Sequence, residues 1–100
     1  MYTIYVQFKC FKGKREAFVE AVKKEGILSA IRAEDGCLRY DYYFSEADET
    51  ELLLIEAWES KHHQEVHIGQ PHMERLRAFK DEYIEATKLG EFTQIGRAHV

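Results

Sequence analysis

Four of the five histidines, His62, His63, His67 and His72, fall within eleven residues of the stretch EAWESKHHQEVHIGQPHM, which runs from Glu56 to Met73 and also holds the only tryptophan, Trp58, and the only proline, Pro71. Imidazole titrates near pH 6.5, so such a cluster suits three roles: metal ligation, proton transfer, or a polar surface. His63 and His67 stand at i, i+4 and could share one helix face as two metal ligands. The third ligand would have to be His72 or Glu59, and the residue that follows the first histidine is Gln64, not the glutamate of the HExxH arrangement. No metal is therefore expected, and His62 and His63 are expected in solvent. For proton transfer His67 is the first choice of base, with His72 beside it. The plain alternative for both is structural, a histidine bonding loop backbone where a helix starts at Pro71.

Other side chains could complete such a site. Trp58 is a core or pocket-wall residue whose indole N–H wants a partner when buried, and whose ring could stack on a substrate. Glu56 stands two residues earlier on the same strand face, where a carboxylate among apolar neighbours must be paired or face a wet cavity. It could orient a histidine, or pair with Arg39 or Arg77. Tyr40 and Tyr42 are sheet-packing residues that could also offer a hydroxyl to substrate, and Gln7 is an uncharged amide that could face the same pocket.

The elements that must position these residues are legible from periodicity. Tyr2 to Cys10 alternates, with Ile4, Val6 and Phe8 on one side and Thr3, Tyr5, Gln7 and Lys9 on the other, as a strand does. From Lys14 the period lengthens: Phe18, Val22, Leu28 and Ile31 make the stripe of an amphipathic helix reaching about Ala33, with Gly26 a weak point in it. Glu34-Asp35-Gly36 signals a stop and turn. Cys37 to Phe44 and Leu52 to Glu59 read as two strands of a hairpin with a polar loop between them. A short helix over Lys61 to Ile68 is broken at Gly69-Gln70-Pro71, and Pro71 suits the first position of the next helix because its missing N–H would have no partner there. Met73, Leu76, Phe79, Tyr83 and Ile84 supply that helix's apolar face. A fourth strand is predicted within Thr87 to Ile95. The order is βαββαβ, an α+β ferredoxin-like split βαβ fold with an antiparallel sheet. One domain spans residues 1–95, and 96–100, GRAHV, reads as a disordered or expression-derived tail.

Composition narrows the partners. A net charge of −4 with no basic cluster beyond Lys12-Gly13-Lys14-Arg15 argues against nucleic acid. No stretch approaches the apolar length a bilayer needs, and Cys10 and Cys37 read as reduced packing residues, so a soluble cytoplasmic protein is expected. Six Tyr, six Phe and one Trp exceed what a small core readily hides. The hairpin strands are apolar on both sides, which a one-sided sheet in water would not need. A second copy packed sheet to sheet is the expected cover.

GCLRYDYY at Gly36–Tyr43, LLIEAWES at Leu53–Ser60 and VHIGQPHM at Val66–Met73 together resemble the antibiotic biosynthesis monooxygenase (ABM) domain family, including its small quinol monooxygenases and the enzyme that processes phosphorylated autoinducer-2. Those proteins carry a similar Glu-x-Trp strand end, here Glu56 and Trp58, and a His-x4-Pro-His segment, here His67, Pro71 and His72. The resemblance implies a homodimeric α+β barrel with a pocket between each protomer's sheet and helices. It also implies cofactor-independent monooxygenation of a small quinol, phenol or polyketide-type aromatic by dioxygen. The haem-binding Asn, Trp and His of related haem degraders are replaced, at aligned positions, by Gln7, His67 and Arg77. Two other functions are compatible with these residues: an oxygen-independent isomerase of a small carbonyl compound, and a non-catalytic dimer that binds a small hydrophobic ligand.

Overall fold

The computed structural model describes residues 1–91, and the expected tail, with the last part of the predicted fourth strand, lies outside them. Four strands, β1 (Tyr2–Cys10), β2 (Cys37–Phe44), β3 (Glu51–Trp58) and β4 (Ile84–Glu91), and four helices, α1 (Arg15–Lys24), α2 (Ile27–Arg32), α3 (Lys61–Ile68) and α4 (Pro71–Lys80), follow in the order β1-α1-α2-β2-β3-α3-α4-β4. The sheet is antiparallel throughout, in the order β2-β3-β1-β4. That is the ferredoxin-like α+β arrangement, with β1 and β3 central.

Strand parity decides what each sheet face does. Ile4, Val6, Phe8 and Cys10 of β1, Leu52, Leu54, Glu56 and Trp58 of β3 and Tyr40 of β2 are buried. Against them pack Phe18, Val19 and Val22 of α1, Ile27, Leu28 and Ile31 of α2, and Met73 and Leu76 of α4. Burying each large apolar side chain contributes roughly 1.5–3 kcal/mol, so this layer is the main source of stability. The opposite face carries Tyr5, Gln7, Leu53, Ile55 and Tyr43, none of them buried. Arg15, itself buried, donates through Nη1 to the carbonyls of Ser45, Asp48 and Glu51, which ties the hairpin loop to α1.

Three boundaries differ from the sequence reading, each for a local reason. The single helix expected over 14–33 is two helices, because Gly26 takes the left-handed conformation (φ +74°), which ends α1 and redirects the chain into α2. The apolar stripe survives the break, and for that reason periodicity did not reveal it. α4 ends at Lys80, and Ile84 opens β4 rather than closing the helix face; a turn over 81–83 is fixed by the Phe11 N–H donating to the Tyr83 carbonyl. β3 is shifted by one residue, running Glu51–Trp58 where Leu52–Glu59 was expected. The start of α3 follows its chemistry: Ser60 is its N-cap, with Oγ accepting from the His63 N–H at 3.3 Å. Pro71 is the first residue of α4.

Candidate active site

Glu34 is the residue around which the cluster is built. It follows α2 in a turn closed by hydrogen bonds from Glu34 N to Ile31 O and from Cys37 N to Glu34 O. Gly36 completes that turn at φ +80°, and its carbonyl accepts from the Glu59 N–H at 2.8 Å. A Cβ at Gly36 would run into the His63 ring, so only glycine lets the turn lie this close to α3. The close approach puts Glu34 beneath the junction of α3 and α4.

There Glu34 Oε2 meets two imidazoles, His67 Nδ1 at 2.8 Å and His72 Nε2 at 2.7 Å. The Glu34 and His67 side chains are 8 % and 3 % exposed, and His72 is 13 % exposed, so His72 is the member nearest solvent. A carboxylate oxygen only accepts, so both rings donate to it, His67 through Nδ1–H and His72 through Nε2–H. Hydrogen bonds to a charged group are worth roughly 1.5–3 kcal/mol each, enough to fix both rings. The free lone pair of His67 is then on Nε2.

Aromatic rings hold His67 from the sheet side, with Trp58 at 4.6 Å and Tyr40 at 5.7 Å between ring centroids. Trp58 Nε1 donates to Glu56 Oε1 at 3.0 Å, which satisfies both of these buried polar groups. Burial lowers the pKa of His67, opposed by the hydrogen bond and charge of Glu34. Imidazole is therefore neutral here at neutral pH and available as a base. Burial raises Glu56 to about 7, countered by the Trp58 hydrogen bond and helped by the charge of Glu34. Tyr40 and Tyr42 are both raised well above the ordinary phenol value by burial, so their hydroxyls stay protonated.

Of the residues singled out in the sequence, His67, His72, Trp58, Glu56 and Tyr40 come together here. Tyr42 stands one step further along, edge-on to Tyr40 at 6.0 Å and to Phe18 at 6.1 Å. Gln7 does not join them. Strand parity places it with Tyr5 on the opposite sheet face, exposed, where it lines a 240 Å³ cleft with Tyr43 and Leu53. Glu56 does not orient a histidine; its partner is Trp58. Arg39 instead pairs with Asp41 and Tyr43, and Arg77 bonds the Ile68 carbonyl. His62 is exposed as expected, but His63 is half-buried over Gly36, with Nδ1 2.7 Å from Ser60 Oγ. Glu34 was missed by sequence reasoning, which read it only as turn punctuation. The signal was its place directly before the glycine turn into β2.

Trp58, Phe18 and Ile31 are fully buried between the sheet and the helices. A cleft of about 310 Å³ opens at the α3 side, lined by Glu34, Asp35, His62, His63, Val66 and Gln70. Glu34 belongs to both the cleft and the buried cluster.

One stability prediction follows from Glu56. Its folded pKa of about 7 lies above the ordinary 4.5, so between those pH values the folded state holds a proton that the unfolded state releases. Stability from this group is thus present below pH 4.5 and lost as pH rises through 7, by up to roughly 3 kcal/mol. Glu56→Gln should raise the melting temperature at pH 8 more than at pH 5. An equal change at both pH values would refute the raised pKa.

The chain is thus a small α+β protein with a ferredoxin-like sheet whose helices enclose a carboxylate bridging two histidines. The sequence profile described as "Antibiotic biosynthesis monooxygenase" matches residues 1–78, and the chain belongs to that family. Mycobacterium tuberculosis Rv0793, which carries a provisional monooxygenase name, is 43 % identical over 54 residues, covering 54 % of this chain and 52 % of that protein. The match thus spans about half the length of that curated relative. The solved structure of Rv0793 superposes with a TM-score of 0.77 at 28 % identity, over 92 % of each chain. A Nitrosomonas europaea structure, provisionally titled an antibiotic biosynthesis monooxygenase, gives 0.81 at 26 % identity, covering 93 % of this chain and 97 % of that one. PA3566 from Pseudomonas aeruginosa shares the fold, with a TM-score of 0.80 at 22 % identity, covering 93 % and 92 %. Among the described residues no helix is long and apolar enough to cross a membrane.

Proposed function

We propose that the chain is a cofactor-independent monooxygenase-like enzyme that oxidises a small quinol, phenol or polyketide-type aromatic with dioxygen. The observation that carries this reading is the Glu34 carboxylate held between His67 Nδ1 and His72 Nε2, because it leaves His67 Nε2 as an oriented, neutral base. Family membership and the monooxygenase names of the relatives support it. His67 takes the phenolic proton at Nε2, and Glu34 stabilises the imidazolium that forms. The electron-rich phenolate passes an electron to dioxygen, the two radicals join at a ring carbon, and the resulting peroxide takes the proton back from the His67 imidazolium to give a hydroperoxide. Loss of water from the resulting hydroperoxide leaves one oxygen atom on the ring as a quinone and the other in water. His72 holds Glu34 in place, and Trp58 and Tyr40 form the aromatic wall.

Screening the purified chain against quinols and phenols while recording oxygen uptake tests this directly. Turnover coupled to one dioxygen per product supports it. Turnover that persists without oxygen sinks it in favour of proton shuttling on a carbonyl compound.

We further propose a homodimer formed through the open sheet face, supported by the apolar Leu53, Ile55, Tyr5 and Tyr43 there. Sedimentation should show a species of twice 11.8 kDa at micromolar concentration. A stable monomer would refute it.

A further inference from the structure

We propose that Glu34, His67 and His72 also form a binding site for a divalent transition ion, zinc in the first place, which switches off the base when it binds. The absence of a third ligand was the sequence argument against a metal, and Glu34 supplies that ligand. Glu34 Oε2, His67 Nδ1 and His72 Nε2 all lie within 4.8 Å of one another. Two imidazoles and one carboxylate are a donor set suited to zinc, with a fourth position left for water. Zinc bonds of about 2.0–2.2 Å place tetrahedral ligands roughly 3.3 Å apart. The present N–H···O distances of 2.8 and 2.7 Å would therefore open by about half an ångström as the cation replaces the two protons. Calcium and magnesium, which favour all-oxygen shells, fit poorly.

The surroundings meet the other requirements of a metal site. Trp58 and Tyr40 hold the His67 ring, and the break at Gly69-Gln70-Pro71 fixes the angle at which His72 faces it. An access route is present as an independent feature. Asp35, Glu59 and His63 form a second, outer group whose ligand atoms also lie within 4.8 Å of one another. Asp35 and His63 line the same 310 Å³ cleft as Glu34, so an acidic vestibule leads to the inner donors.

The consequence for chemistry follows from the tautomer. A neutral imidazole carries one N–H, and a metal on Nδ1 moves that proton to Nε2. His67 Nε2 then donates and no longer accepts. This inhibitory step rests on the proposed base role of His67, whereas metal binding does not.

The test uses the chelator-treated full chain, titrated with zinc chloride by calorimetry. Uptake of one ion per chain is expected, weakened at least about 30-fold in Glu34→Gln and His72→Gln but no more than about threefold in His63→Gln. Thermal melts establish that each variant is folded. On the unaltered chain, zinc should shift the nitrogen resonances of His67 Nδ1 and His72 Nε2, a readout that needs no variant. No uptake at about tenfold excess zinc overturns the site. So does uptake lost only in His63→Gln, which would assign the ion to the outer group. Zinc that binds as expected yet leaves oxygen uptake unchanged confirms the site and overturns the base role of His67.

Discussion

Replacing His67 by glutamine should lower kcat by about 10²–10⁴-fold, the usual loss when a general base is removed. Glutamine is chosen over alanine because His67 is 2 % exposed and packed against Trp58 and Tyr40. His67→Ala would also leave a cavity and deprive Glu34 of one partner, so it should lower the melting temperature as well as activity. His62→Ala, at an exposed position, should leave kcat within about twofold. The pH profile provides a second check. Burial holds His67 below its ordinary pKa, so activity should fall only as pH drops below that of a free histidine, and should be level above it. Full turnover in His67→Gln would show that the cluster is a structural network and not an acid–base site.

The second large effect is expected at Glu34, where Glu34→Gln should also cost about 10²–10⁴-fold in kcat. Both rings donate to the one oxygen Oε2, and an amide oxygen placed there can still accept from both, so what the variant removes is the negative charge that steadies the imidazolium. Glu34 also raises the pKa of His67 through its hydrogen bond and charge. Its loss should therefore move the acid limb of the kcat/KM profile to lower pH. A purely structural Glu34 would lower stability without moving that limb. An unmoved limb together with retained turnover would rule out the carboxylate–imidazole pairing as the source of activity.

The two carboxylates near His67 divide their roles by solvation. Glu34 meets two N–H donors and reaches the cleft, whereas Glu56 meets one indole N–H in a dry strand environment and is raised to about 7. A carboxylate with two donors suits the task of steadying an imidazolium. One that holds a proton near neutral pH suits the task of keeping Trp58 in place without a buried charge.

Most of the fold was written in local sequence. Alternation marked β1, the ranges of β2 and α3 match their predicted limits, and Pro71 opens α4 as its chemistry requires. Parity alone placed Glu56 and Trp58 on one strand face, and the same parity places Gln7 on the other, away from the histidines. Such features depend on neighbours within a turn or a pleat, so a single sequence carries them. The centre of the site was decided differently. Glu34 lies 33 residues before His67 and 38 before His72, and no period links a turn residue to a helix on the far side of a hairpin. Their meeting depends on β2 pairing with β3, on Gly36 letting the turn lie against α3, and on the break before Pro71 that turns His72 back toward His67. Only this packing removes the cluster from water, and it separates a buried, oriented imidazole at His67 from the exposed His62 a few residues away.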